Sequence, residues 1–221
     1  MSIKDIKFMN DEVYLHKSIE MSLSECIEQI SDISYKKYYN DYRYEKDYNV
    51  ENTQFPPIIY AFYSYIFNRN KIPSPEEVIN NYFELYAEQF IVESEEVKYN
   101  NKKYKKRALI ARILRTYPSL IRDFHFYLLL VNEKCFDKVI YSCKTDIEGK
   151  DIIIKHKDYE YQVSLFVDTK RSKSFKKIKN NSRHKYNNEI AIPIDFNTAE
   201  TCGDFFVYGQ KDLEKIKKHI Y

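Results

Sequence analysis

Apolar side chains in the first hundred residues recur at spacings of three and four, which is the period of an amphipathic helix. The motif Ser74-Pro75-Glu76-Glu77 adds the features of a helix start: a serine N-cap, a proline at the first helical position and acidic residues in the first turn. It predicts a helix that extends to about Phe90. The polar, tyrosine-rich residues 35–52 have no clear period and are predicted to form a loop. Residues 1–117 are therefore expected to be a mainly helical N-terminal region.

Two further helices are predicted after residue 107, where a run of basic residues is followed by mainly apolar ones. A basic run leads into a helix over residues 108–116, and a second helix over 118–130 is apolar around most of its surface and is expected to be buried. The basic run consists of Lys102, Lys103, Lys105, Lys106 and Arg107. Positive charge at a helix N-terminus opposes the helix dipole, so a bound anion would relieve the conflict.

From about Phe136 the apolar pattern changes to a period of two, which is typical of strands. Strands are predicted over residues 136–143, 151–157, 159–169, 190–194 and 205–208, with a basic helix over 173–186 and a closing helix over 211–220. Residues 118–221 are thus expected to form an α/β core around a mixed sheet.

The pairing of two of these strands can be predicted in detail. If Lys157 and Asp158 form a two-residue hairpin turn, Asp151 faces Ser164 and lies diagonal to Gln162. Lys155 then lies on the Asp151 face of its strand, from which it would be able to reach back toward that carboxylate.

Charge is distributed unevenly along the chain, although the net charge is only +3. Residues 1–101 carry a net charge of −8, residues 102–186 carry +13 and residues 187–221 carry −2. A concentrated positive segment on an otherwise acidic chain is typical of a face that binds a polyanion. The alternative interpretation is an ordinary solvated, lysine-rich surface.

Composition excludes several classes of protein. Three glycines leave no GxGxxG or GxxxxGK[ST] phosphate loop, and the four cysteines form no CxxC pair or zinc-ligand pattern, so they are expected to be reduced thiols. No apolar run is long enough to cross a bilayer, and the first residues lack the pattern of a signal peptide. A cytoplasmic protein without membrane contact is the expectation.

The predicted order of helix, three strands, helix and strand resembles the restriction-endonuclease-like, or PD-(D/E)xK, nuclease superfamily. The residues that carry the resemblance are Gly149-Lys-Asp151 before one strand and Tyr161-Gln-Val-Ser-Leu165 on the next. The similarity covers about residues 118–194 and implies a restriction-endonuclease-like core of a mixed central sheet flanked by helices. It also implies that Asp151 and Gln162 bind Mg²⁺ or Mn²⁺, and Glu133 is a candidate for a further ligand.

Ser164 stands where the superfamily has a lysine that positions or activates the attacking water. Lys170 is the favoured replacement for that amine. A rival register uses Asp168-Thr-Lys170 together with Asp146, although Gly149 is expected to break the strand before Asp146. His125 is expected to satisfy a hydrogen bond in the core rather than to act as a base.

The function implied by the resemblance is a magnesium-dependent DNA endonuclease of a mobile element or defence system. The alternative is a catalytically degenerate member that binds DNA or a protein partner without cleaving. The expected phosphate contacts come from the basic run at 102–107, from the predicted basic helix and from Arg171 beside it. The residues of the second group are Arg171, Lys173, Lys176, Lys177 and Arg183. A homodimer or a protein partner is expected to use the N-terminal helical half.

Overall fold

The computed structural model describes residues 20–141, 143, 150–169 and 188–221. Within these residues the helices are α1 (Leu23–Ser31), α2 (Tyr35–Asn40), α3 (Tyr48–Asn52), α4 (Ile58–Arg69), α5 (Pro75–Leu85), α6 (Lys106–Glu133) and α7 (Gln210–Ile220). The strands are β1 (Phe90–Val92), β2 (Glu96–Tyr99), β3 (Lys102–Lys105), β4 (Lys138–Ile140), β5 (Ile152–His156), β6 (Tyr159–Val167), β7 (Glu189–Ile194), β8 (Glu200–Cys202) and β9 (Phe205–Val207). The chain is a mixed α/β protein, as predicted.

Helix α5 begins where the sequence predicts. Ser74 Oγ accepts a hydrogen bond from the Glu77 N–H at 3.2 Å, and Glu77 Oε2 accepts one from the Ser74 N–H at 2.7 Å, so the two residues form a capping box. The helix ends at Leu85 rather than near Phe90. Phe90 instead opens strand β1 and faces Tyr99, with the two ring centroids 5.2 Å apart.

The prediction that residues 35–52 form a loop is wrong. They contain helices α2 and α3, and Asp47 caps α3 through hydrogen bonds from the N–H groups of Asn49 and Val50. The buried Tyr35 ring packs against Tyr117 and Phe205, at centroid distances of 5.8 and 5.3 Å. A tyrosine is able to bury its ring in the core while its hydroxyl keeps a polar partner. This segment therefore packs into the core although it lacks the regular spacing of aliphatic residues from which helices are predicted.

Residues 106–133 form one continuous helix, α6, although separate helices were predicted on either side of Pro118. Proline at position 118 has no N–H to donate to the Leu114 carbonyl one turn earlier. Tyr35 Oη supplies that donor instead, at 3.0 Å from the Leu114 oxygen. The helix also crosses the predicted boundary at residue 117, and one hydrophobic cluster contains buried side chains from both sides of it.

A three-stranded antiparallel sheet over residues 90–105, in the order β1-β2-β3, was not predicted. Asn100 and Asn101 form its second turn with φ angles of 50° and 60°, a left-handed conformation that asparagine tolerates. The predicted basic run is thus divided between strand β3 and the first turn of α6. We call these three strands the small sheet.

The larger sheet, which we call the mixed sheet, has the strand order β4-β5-β6-β7. Strand β5 pairs with β4 and with β6 in antiparallel fashion, whereas β6 and β7 are parallel. The predicted register is confirmed, since Ile153 faces Gln162 and Lys155 faces Glu160 around a turn in which Lys157 has a φ of 53°. Strand β4 is shorter than the predicted strand over residues 136–143.

The mixed sheet has two different faces. One face packs into the hydrophobic core behind helix α6, through Ile152, Ile154, Val163, Ile190 and Ile192. The side chains that alternate with these belong to the opposite face. That opposite face carries Gln162 and, directly before β5, Asp151, the two residues that sequence analysis names as metal ligands.

Candidate functional site

Four polar residues occupy neighbouring positions on the opposite face of the mixed sheet, and we call them the polar cluster. Asp151 directly precedes β5, Gln162 and Ser164 alternate along β6, and Glu189 opens β7. The parallel register places Gln162 beside Glu189. All four side chains offer oxygen atoms.

The carboxylate of Asp151 is held against the neighbouring strand. Its Oδ2 atom accepts a hydrogen bond from the backbone N–H of Leu165 at 2.5 Å. Because the last paired residues of the two strands are Ile152 and Val163, this bond fastens Asp151 to β6 beyond the end of the backbone pairing. The predicted proximity of Asp151 to the Ser164 region of β6 is therefore present.

Glu189 is the member of the polar cluster that sequence analysis missed. Ser164 Oγ donates a hydrogen bond to Glu189 Oε1 at 3.0 Å, and the N–H of Gln162 donates to the carbonyl oxygen of Asn188 at 3.0 Å. Gln162 is 9% exposed. The register of a parallel pair depends on a long crossover, so no local pattern places Glu189 beside Gln162.

The predicted approach of Lys155 to Asp151 is not observed. Lys155 Nζ lies 3.5 Å from Glu160 Oε2, the residue that faces it across the hairpin. Ser164, in turn, is hydrogen-bonded to the Glu189 carboxylate. Neither Lys155 nor position 164 therefore provides the amine that the superfamily has at this site.

The rival register involves residues that the structure describes only in part. The N–H of Asp168 donates to the Ile194 carbonyl at 2.8 Å, so the backbone of Asp168 extends the pairing with β7. Asp146 and Lys170 lie outside the described residues. The same holds for the predicted basic helix and for Arg171, Lys173, Lys176, Lys177 and Arg183.

The basic run before α6 is described and contacts acidic residues of the N-terminal half. Lys103 Nζ lies 2.6 Å from Glu96 Oε2, and Arg107 Nε lies 2.9 Å from Glu45 Oε1. Lys106 Nζ donates to the Glu93 carbonyl at 3.4 Å, whereas Lys102 and Lys105 are exposed on β3. Part of the charge segregation along the sequence is thus cancelled in space, and the anion expected near this helix start is supplied by the chain itself.

Glu133 and His125 on α6, which sequence analysis considered as a metal ligand and as a core residue, both have structural surroundings. Glu133 Oε2 accepts a hydrogen bond from Lys217 Nζ on α7 at 2.8 Å. His125 is 5% exposed, and its Nδ1 atom is buried without a hydrogen-bond partner, so the expected core hydrogen bond is not formed at that nitrogen. Burial lowers the pKa of His125 to about 4, which leaves the imidazole neutral at pH 7.

The donor set of the polar cluster suits a hard cation, since carboxylate, amide and hydroxyl oxygens are the ligands that Mg²⁺ prefers. Among the residues described, no three His, Cys, Asp or Glu side chains form a group that could hold a metal ion.

All four cysteines are free thiols, as predicted.

Comparisons of the chain with protein-family models, with curated proteins and with solved structures give no match. None of the described helices combines the length and apolar character that crossing a bilayer requires.

Proposed function

We propose that the chain is a magnesium-dependent DNA endonuclease with a divergent restriction-endonuclease-like core. The observation that carries the proposal is the polar cluster, in which Asp151 is fixed to strand β6 on the face that also bears Gln162 and Glu189. The long helix α6, followed by strands β4, β5 and β6 and later by β7 in one sheet, adds support, because it agrees with the described part of the element order from which the resemblance was drawn. The predicted helix between β6 and β7 lies outside the described residues.

In this proposal Asp151 and Gln162 hold the metal ion through a carboxylate and an amide oxygen. Glu189 supplies a second carboxylate beside Gln162 and offsets the charge that is lost because position 162 is not an acid. A metal ion held by these oxygens would supply the means to activate a water molecule and to neutralise the charge that develops on the phosphate. Lys170 remains the proposed amine, and Asp146 with Asp168 remains the rival pair.

DNA is the proposed partner because the segment 102–186 carries a net charge of +13. Several described members of this segment are paired with glutamates, so the proposal assigns the main phosphate contacts to Lys173, Lys176 and Lys177. Contacts of this kind bind the DNA backbone without reading its sequence.

Nicking of supercoiled plasmid in Mg²⁺ or Mn²⁺ tests the proposed activity. Asp151→Asn should lower the rate at least about 100-fold, since it removes a charged metal ligand. The matched control is Asp158→Asn, which changes an exposed carboxylate in the β5–β6 turn and should leave the rate unchanged. If Asp146→Asn abolishes nicking and Asp151→Asn does not, the rival register is correct. Full activity in both variants would contradict the nuclease proposal.

The proposed DNA contact is tested separately from cleavage, in EDTA. Replacing Lys173, Lys176 and Lys177 together with alanine should make the slope of log K against log[salt] shallower by up to about three units, because each phosphate contact contributes about 0.9. The change should be similar on unrelated duplexes. An unaltered slope would show that these lysines do not contact DNA.

One observation favours a second function, in which the protein binds DNA or a protein partner without cleaving. Ser164 replaces the expected lysine and is bonded to Glu189, and Lys155 is paired with Glu160. This alternative predicts salt-dependent DNA binding with no nicking in any divalent metal ion. The two assays therefore separate the two functions.

A further inference from the structure

A cavity of about 650 Å³ lies in the N-terminal half, between the small sheet and the segment that precedes α4. We call it the aromatic pocket. Five aromatic side chains line it: Phe55, Tyr60, Tyr86, Tyr99 and Tyr104. Its volume falls within the range of pockets that hold small organic ligands, about 300–1,000 Å³. It is lined by none of the residues of the polar cluster.

Three of the five aromatic rings are held in place by contacts within the fold. Tyr99 Oη donates to the Gln54 carbonyl at 3.2 Å, and Tyr86 Oη donates to the Pro57 carbonyl at 2.9 Å. The Phe55 ring lies 5.1 Å from the Tyr99 ring, between centroids. Rings that are held by hydrogen bonds and packing lose little conformational entropy when a flat ligand stacks on them.

The polar side chains that line the pocket are neutral with one exception. The lining residues Gln54, Gln89 and Asn100 carry side-chain amides, and an amide group is able both to donate and to accept hydrogen bonds. Lys102 is the one charged residue among the lining residues, all of which are described, and no carboxylate is among them. This absence is notable because residues 1–101 carry a net charge of −8.

The alternation of strand β3 directs Lys102 and Tyr104 to the same face of the small sheet. Lys103 and Lys105 belong to the opposite face, where Lys105 is directly paired with Glu96 in the strand register. A ligand stacked on the tyrosines would thus have an exposed ammonium group on one side.

We propose that the aromatic pocket binds a nucleotide unit, with the base stacked on the partly exposed rings of Tyr60 and Tyr99, its edge bonded to the amides and its phosphate at Lys102. Base–aromatic stacking with a neighbouring cation is the combination that binds single nucleotides of a strand. A proline-rich peptide also prefers aromatic grooves, but proline residues bring no anionic group to Lys102. The proposal is independent of cleavage.

The experiment is a calorimetric titration of the full-length chain in EDTA with deoxynucleoside monophosphates, deoxyadenosine and a hexadeoxynucleotide. Lys102→Gln should weaken binding of a monophosphate about tenfold, the usual scale for losing one charge-assisted contact. It should leave deoxyadenosine binding unchanged. Lys105→Gln, on the other face of the same strand, is the matched control. Lys105 belongs to the basic run expected to contact long DNA, but it does not line the pocket, so its replacement should leave binding of both the monophosphate and deoxyadenosine unchanged. Both residues are exposed, and thermal unfolding checks that each variant folds.

Titration with the hexadeoxynucleotide distinguishes a free nucleotide from one unit of a single strand as the ligand. If it binds much more tightly than a monophosphate and is equally sensitive to Lys102→Gln, the pocket takes one unit of a single strand; if it does not, the ligand is a free nucleotide. No saturable binding of any nucleotide at millimolar concentration would overturn the proposal. Equal losses in the Lys102 and Lys105 variants, or binding of a proline-rich peptide but not of nucleotides, would also overturn it. Because Asp151→Asn should bind nucleotides normally, a failure of the nuclease proposal is distinguishable from a failure here.

Discussion

The small sheet and the mixed sheet both contact helix α6, but the side chains on their open faces differ in chemical type. Side chains on one face of the small sheet line a pocket with aromatic rings, amides and one lysine. The mixed sheet presents carboxylate, amide and hydroxyl oxygens on the face away from the core. Rings and a cation suit recognition of a flat anionic ligand, whereas oxygen ligands suit a metal ion and hydrolysis.

The two sheets also differ in how their charged side chains are balanced. On the small sheet, Lys98 and Lys103 lie 2.5 and 2.6 Å from the carboxylates of Glu93 and Glu96. The mixed sheet has an exposed pair of the same kind, Lys155 with Glu160, but its Asp151 carboxylate accepts a backbone N–H. Exposed ion pairs contribute little to stability, but a carboxylate bonded to the backbone is held in one position. The face of the mixed sheet that bears Asp151 is therefore better suited than the small sheet to a site that needs fixed ligand positions.

The largest expected effect comes from a matched pair of Ile→Ala substitutions, one in each sheet. Ile154 on the mixed sheet is fully buried, so Ile154→Ala should lower the free energy of unfolding by about 2–5 kcal/mol. Ile91 on strand β1 is 63% exposed, so Ile91→Ala should change it by less than about 0.5 kcal/mol. Urea denaturation measures both. Similar losses in the two variants would mean that the two isoleucines do not differ in burial as described.

The next effect concerns pH and the buried His125 on α6. Its folded pKa, about 4, lies below the ordinary value of 6.5, so the unfolded chain binds a proton first as the pH falls. Stability should therefore decrease from about pH 6.5 toward pH 4, by about 2 kcal/mol between pH 7 and pH 5. Denaturation of the wild type and of His125→Leu at both pH values measures this term. An equal pH dependence in the two proteins would contradict it.

A smaller effect is expected at Asp151 in the absence of metal. Asp151→Ala removes the acceptor for the Leu165 N–H and should cost about 1–2 kcal/mol, whereas Asn at this position keeps an oxygen that can accept the same bond. Thermal unfolding in EDTA compares the two variants. If Asn destabilises as much as Ala, the loss of nicking in Asp151→Asn would have to be attributed to the fold.

The smallest effect is expected at the ion pair between Lys103 and Glu96. Glu96→Gln should leave the melting temperature unchanged at high salt, because exposed pairs are screened. A clear loss of stability at high salt would show that the small sheet depends on this pair.

Sequence patterns predict an element well where its cause is local. The start of α5 follows from Ser74, Pro75 and Glu77, and the β5–β6 register follows from a two-residue turn. Patterns fail where a distant residue decides the outcome. Pro118 predicts a helix boundary, but Tyr35 compensates for its missing donor from a segment that has no helical period of its own.

The candidate sites divide in the same way. The sequence by itself determined that Asp151 approaches Ser164 and Gln162, because the pairing within a hairpin is set by its turn. Only the tertiary structure decided that Glu189 joins them, that Lys155 is paired with Glu160, and that five aromatic residues line one pocket. The reason is that parallel pairing and helix–sheet packing join segments far apart in the chain, and no local periodicity encodes which of them meet.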